Sequence, residues 1–156
     1  MIAAVIYVLH LASTWYMVGL IWMVQIVHYA MFDRVGSAQF AAYEADHQRL
    51  ITPIVAVPML IELITAAWLV LRPMPGFPRA AAIVGLVAVV LIWLATATLS
   101  VPYHGRLISG FDDAAYRGLV GTNWIRTVLW SARGIWLGWF AARMLATGPR
   151  VLGSHL

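Results

Sequence analysis

Residues 51–71 contain one ionisable side chain, Glu62, in a run that is otherwise almost wholly apolar. Few environments accept such a stretch. About 20 apolar residues in helical form cover the ~30 Å hydrocarbon core of a bilayer. Inside lipid a single segment must satisfy its own backbone hydrogen bonds, which leaves the α-helix. Residues 2–27, 80–101 and 123–145 read the same way. The whole chain is 63% hydrophobic and 10% charged, with a mean hydropathy of +0.86, which is too little charge to wet a soluble surface. The expected fold is therefore all-α: an integral membrane four-helix bundle forming a single domain over residues 1–156.

The second span is expected to extend outward, with its helix starting near residue 38 after a turn at Gly36-Ser37. Pro53 and Pro58 should bend that helix or open its backbone bonds. The segment 72–79, with three prolines and a glycine, breaks the chain between spans two and three. Its two arginines, with Arg143 and Arg150 near the C-terminus, have no acid beside them. The positive-inside rule then places that loop and both termini in the cytoplasm of a bacterial inner (plasma) membrane protein. The first stretch lacks a basic leader and reads as a span rather than a signal peptide. The net charge of +4 comes from ten scattered arginines with no lysine, which argues against a nucleic-acid partner. The absence of cysteine excludes disulfides and thiol chemistry.

Polar residues recur at helical spacing. Glu44, His47, Ile51, Val55, Pro58 and Glu62 fall on one face of the second helix. His10, Thr14, Met17, Ile21, Gln25 and His28 do so on the first, and Asn123, Arg126, Trp130 and Arg133 on the fourth. At 1.5 Å per residue Glu62 lies ~16 Å and Arg133 ~18 Å from the outer face. The two are level and opposite in charge, so a buried Glu62–Arg133 ion pair is expected. His28, Glu44, His47 and His104 should gather at the outer interface.

Three imidazoles and a carboxylate suit a transition metal such as iron, copper or zinc. An E-x-x-H pair on one helix side is a known ligand arrangement in di-iron bundles, although this chain has one such pair and not two. The other reading of these residues is interfacial histidines bonded to headgroups or loop carbonyls. Haem is an alternative, with His28 and His104 as axial ligands. Arg126 and Asn123 are candidates to orient a substrate or hold a developing oxyanion, with Gln25 supporting the site. The charge network can equally serve packing alone. The tryptophans of span four read as packing and interface anchors. No phosphate loop or nucleophile elbow is present.

The segment Val101-Pro102-Tyr103-His104-Gly105-Arg106-Leu107, followed by Thr122-Asn123-Trp124-Ile125-Arg126-Thr127, resembles small bacterial four-helix membrane proteins of the anthrone-oxygenase-like family. His104 stands where an asparagine is expected. The resemblance covers the last third of the chain and implies an oxygenase-like activity on a hydrophobic, aromatic or quinone-like molecule. The expected function is thus a metal-dependent membrane oxidoreductase or oxygenase acting on a lipid-soluble substrate at the outer leaflet. Two alternatives stand beside it. One is a non-catalytic small subunit or binding protein, as a homo-oligomer or within a larger membrane complex. The other is a haem-binding or proton- or solute-conducting bundle.

Overall fold

The computed structural model describes residues 1–147. They form four helices: α1 Ile2–Arg34, α2 Ser37–Leu71, α3 Arg79–Leu107 and α4 Asp113–Thr147. No strand occurs among the described residues. The helices run alternately up and down and close into a ring, with α1 and α3 each packed between α2 and α4. One end of the ring carries the α1–α2 and α3–α4 connections and is called the histidine end below. The other carries Met1 and the α2–α3 loop and is called the arginine end.

Three apolar layers fill the interior. Tyr7, Leu69, Phe77, Ala82, Leu137 and Phe140 pack at the arginine end. Met17, Ile21, Met59, Ile92 and Trp130 form the middle. Phe32, Phe40, Leu107, Ala115 and Leu119 pack at the histidine end.

Polarity is inverted relative to a water-soluble domain. His10, Thr14, Glu62, Asn123, Arg126 and Arg133 are buried, while Val8, Val57, Ile64, Val87, Leu94, Val128 and Ile135 are exposed. Helices apolar all round belong in lipid or in a large core, and an apolar exterior this extensive marks an interaction with a non-aqueous phase. α1, α2 and α3 are long and apolar enough to cross a membrane. α4 falls short of that composition because of its arginines, yet Arg126 and Arg133 are only 6% and 3% exposed. Its outward side presents Trp124, Ile125, Val128, Ile135 and Trp139.

Three helix ends lie beyond their expected positions. α1 continues past residue 27 through a π-helical turn at Val24–His28 and a 3₁₀ segment at Tyr29–Arg34. α3 passes residue 101, its expected end, and includes Pro102. A π-helical turn at Thr96–Ser100 precedes it, and Pro102 takes a first-turn place in the final segment Val101–Leu107, where its missing N–H costs little. α4 begins at Asp113 rather than near residue 123. Residues 110–112 lead into it, and residues 113–118 form its first turns. Asp112 caps it by accepting the Ala115 N–H at 2.9 Å. That N–H, with the Arg106 guanidinium, holds the Asp112 carboxyl below the usual carboxylate range.

The two ends also differ in how their arginines are neutralised. At the histidine end Arg49 pairs with Asp46, Arg106 with Asp112 and Arg117 with Asp113, while Arg34 is in no ion pair among the described residues. At the arginine end Arg72, Arg79 and Arg143 pair with no acid among the described residues. Arg79 instead donates to the Val70 carbonyl. Arg150 lies outside the described residues.

The α2–α3 loop turns at Met74–Phe77, where the Phe77 N–H returns to the Met74 carbonyl at 3.1 Å. Pro75 precedes Gly76, whose φ is +83°. This is a type II turn, which needs a residue tolerant of positive φ in third place. Gly76→Ala is expected to lose more than ~1 kcal/mol of stability, because an added Cβ also meets Met144 Cγ at 2.5 Å. Gly105→Ala, in an exposed helical site with nothing within 4 Å, should gain up to ~1 kcal/mol. Thermal unfolding of the two purified variants beside the parent checks the opposite signs.

Candidate functional site

Two polar networks are stacked along the axis of the bundle. The lower one is centred on Glu62, which is 1% exposed. Its Oε1 accepts Arg133 Nη1 at 2.5 Å and the Thr14 hydroxyl at 2.8 Å, and its Oε2 accepts the Trp130 indole N–H at 2.9 Å. Arg133 Nη2 donates to His10 Nε2 at 3.3 Å. That nitrogen is therefore the acceptor, and the proton sits on Nδ1, which meets Thr65 Oγ1 at 2.8 Å. The structure thus joins the two residues that depth arithmetic paired. It adds three partners that arithmetic cannot supply: Thr14, Thr65 and Trp130.

The upper network surrounds Glu44, which is fully buried. Glu44 Oε1 accepts His104 Nδ1 at 2.5 Å and Gln48 Nε2 at 3.0 Å. His104 Nε2 meets the Tyr29 hydroxyl at 3.1 Å. The Arg126 guanidinium stands beside that phenol. His104 Nδ1–H donates to the carboxylate, and Nε2 shares its hydrogen bond with the Tyr29 hydroxyl. A carboxylate–imidazole–phenol chain therefore runs from Glu44 to Arg126. Next to it His28 Nε2 and His47 Nδ1 share a hydrogen bond of 2.8 Å.

This upper network forms one end of a cavity of about 240 Å³. The apolar part of its wall comes from Met17, Leu20, Ile21, Ile51, Val55, Met59 and Trp93, and the polar part from Tyr29, His47, Gln48, Ser100, His104 and Arg126. Both π-helical turns contribute to the site, Val24 from the first and Thr96 and Ser100 from the second. Single π turns within α-helices are found mostly at functional sites. Here they carry Tyr29 and Ser100 inward.

The expected site residues divide accordingly. His28, Glu44, His47 and His104 do meet, with ring centroids 4.5 Å apart for His28–His47 and 5.3 Å for His47–His104. They do not form a ligand cage: among the described residues no three His, Cys, Asp or Glu side chains are placed to hold a metal ion. The reason is visible in the hydrogen bonds, which turn His28 on His47 and His104 on Glu44. A haem would need two axial nitrogens facing one another across an open slot. Instead His28 Nε2 faces His47 and His104 Nε2 faces Tyr29.

Arg126 lines the cavity, but Asn123 does not. The Asn123 amide donates to Gln25 Oε1 at 2.9 Å, and Gln25 Nε2 donates to the Val120 carbonyl at 3.2 Å. These two side chains fasten α1 to α4 rather than touching a ligand. Tyr29, Gln48, Ser100 and Trp93 are site residues that sequence reasoning passed over. The only sequence signal for Tyr29 is its place beside His28.

No family model, curated protein or solved structure matches the chain.

Removing either member of the lower ion pair leaves an uncompensated buried charge, a loss of ~3–5 kcal/mol. Glu62→Gln and Arg133→Met should each show a loss of that size. The double variant should lose well under the sum, because no lone charge remains. A double-mutant cycle from unfolding curves reads the coupling, and additive losses would show that the two side chains act independently.

Proposed function

We propose that this chain is a four-span membrane protein acting on a lipid-soluble small molecule, and that the reaction is oxidoreductive or oxygenating. The observation that carries the reading is the cavity, apolar along its wall and ended by Tyr29, His104, Ser100 and Arg126. Ligand sites commonly combine an apolar lining with a few convergent polar groups. The apolar wall would take the hydrophobic body. Arg126 and Ser100 would hold its polar head, and Glu44–His104–Tyr29 would move a proton to or from it. Positioned acid–base groups of this kind contribute ~10²–10⁴-fold.

The relay supplies proton transfer from the chain's own side chains. A transition metal would have to take its ligands from His28, Glu44, His47 and His104 after both hydrogen-bonded pairs had opened. The resemblance to anthrone-oxygenase-like proteins at residues 101–107 and 122–127 points to the same class of substrate.

Vesicles carrying the protein and supplied with a total membrane lipid extract and dioxygen as the oxidant should convert at least one apolar species, either by loss of two hydrogens with dioxygen leaving as hydrogen peroxide or by replacement of two hydrogens with one oxygen, the second oxygen atom leaving as water, read by mass spectrometry. Tyr29→Phe and Glu44→Gln should each lower the rate by ~10²–10⁴-fold, and chelation should leave it unchanged. A species that is retained but never altered would favour the alternative reading of a small binding subunit.

The inverted polarity of the bundle supports insertion, and the unpaired arginines at one end support an orientation with that end and both termini in the cytoplasm of a bacterial inner membrane. The chain contains no cysteine, so single substitutions report cleanly. Ser109→Cys should react with a membrane-impermeant maleimide in intact cells. Pro73→Cys should react only after the membrane is opened.

A further inference from the structure

Arg126 is a buried cation with no carboxylate. It is 6% exposed and belongs to none of the ion pairs among the described residues. Of its five N–H donors, one at Nη1 reaches Ser100 Oγ at 2.8 Å, and Nε has no partner. Its charge rests against the face of Trp130, 5.3 Å from the ring centroid, which softens the burial without neutralising it. Glu44 is the acid of the same network, but its Oε1 is already held by His104 and Gln48.

A second donor without a partner is the buried Trp93 Nε1, and Trp93 lines the same cavity as Arg126. An unpaired buried charge is strongly unfavourable, and donors left without acceptors add to the cost. Among the residues that line the cavity, Arg126 Nε and Trp93 Nε1 both lack an acceptor, and the larger demand is for negative charge; the free acceptor of the network, Glu44 Oε2, belongs to a residue off the cavity wall.

We propose that the cavity binds an amphiphilic carboxylate, with its head on Arg126 and its apolar chain against Met17, Ile21, Val55 and Met59. Planar guanidinium and carboxylate match through paired, charge-assisted hydrogen bonds. Ser100 and Trp93 are the neighbouring donors. The cavity, at about 240 Å³, lies just below the ~300–1,000 Å³ of ordinary ligand pockets. It takes a head and the first part of a chain, and the rest of a long tail continues into the surrounding lipid. This rests on the cavity being the substrate site, and makes that substrate a lipid-soluble acid. It does not depend on what the proton relay does.

The test uses 12-bromododecanoic acid and its methyl ester, read by bromine quenching of tryptophan fluorescence with the full chain in lipid nanodiscs. The acid should bind at least tenfold more tightly than the ester. Arg126→Met should bring the two affinities within twofold of each other, and Arg126→Lys should leave an intermediate preference. Equal binding of acid and ester by the parent protein would overturn the carboxylate assignment while leaving the cavity as a ligand site. So would an unchanged preference in Arg126→Met. Binding of neither would remove the cavity as a ligand site, and with it the proposed function. Should Arg126→Met fail to fold, the acid-to-ester ratio of the parent and of Arg126→Lys still decides.

Discussion

Glu62 is the point on which the bundle is centred. A single carboxylate on α2 gathers donors from α1 through Thr14 and from α4 through Trp130 and Arg133. His10 and Thr65 extend the network across α1 and back to α2. In an apolar interior an ionised carboxylate without partners is prohibitively costly. Sliding any of the three helices by one turn would strand it. The hub therefore selects one register out of many that apolar packing alone would accept, which is the best-attested use of a buried polar group. α3 contributes no side chain to the hub. It seats through small and apolar residues such as Ala82, Val89 and Ile92, and through the Ser100–Arg126 bond near its far end.

The same inward collection of charge explains α4. Its sequence is the least hydrophobic of the four because Asn123, Arg126 and Arg133 share a face. In the fold that face is interior, and each polar group has a partner there: Gln25, Ser100 and Glu62 respectively. A composition test sees four arginines in a helix, whereas the surrounding medium meets Ile125, Val128, Ile135 and Trp139. Hydropathy averages and exposed surface diverge whenever a helix is amphipathic toward a polar core.

How much of this is legible in the sequence depends on what decides each feature. Helical spacing and a constant rise decide which residues are level, so Glu62 with Arg133, and the convergence of His28, Glu44, His47 and His104, could be read directly. Side-chain direction is decided by packing, so the sequence could not show that His104 would turn on Glu44 and His28 on His47 rather than toward a common centre. The π-helical turns have no residue signature here, and each one shifts the helix face that follows. That shift turns the stretch that holds Tyr29, whereas Asn123, on the regular helix α4, lies off the cavity because its amide is taken by Gln25. Pro102 lies within α3 because it takes a first-turn place in the segment after the π-helical turn, where its missing N–H is tolerated.

The two networks are not independent, and Trp130 is the link. Its indole N–H is held by Glu62 from below, and its ring lies under the Arg126 guanidinium. The indole is fully buried and has two torsions to fix, so anchoring the N–H also sets the plane of the ring. That plane supports the cation facing the cavity. The hub that sets helix register thus also places the charge that meets a ligand, although Glu62 itself lies outside the cavity wall. A change at Glu62 is transmitted to the cavity through one aromatic ring. Arg126 answers to two carboxylates in different ways: Glu62 positions it through Trp130, and Glu44 reaches it through His104 and Tyr29. The cation thereby keeps a fixed place while its charge remains available to an incoming molecule.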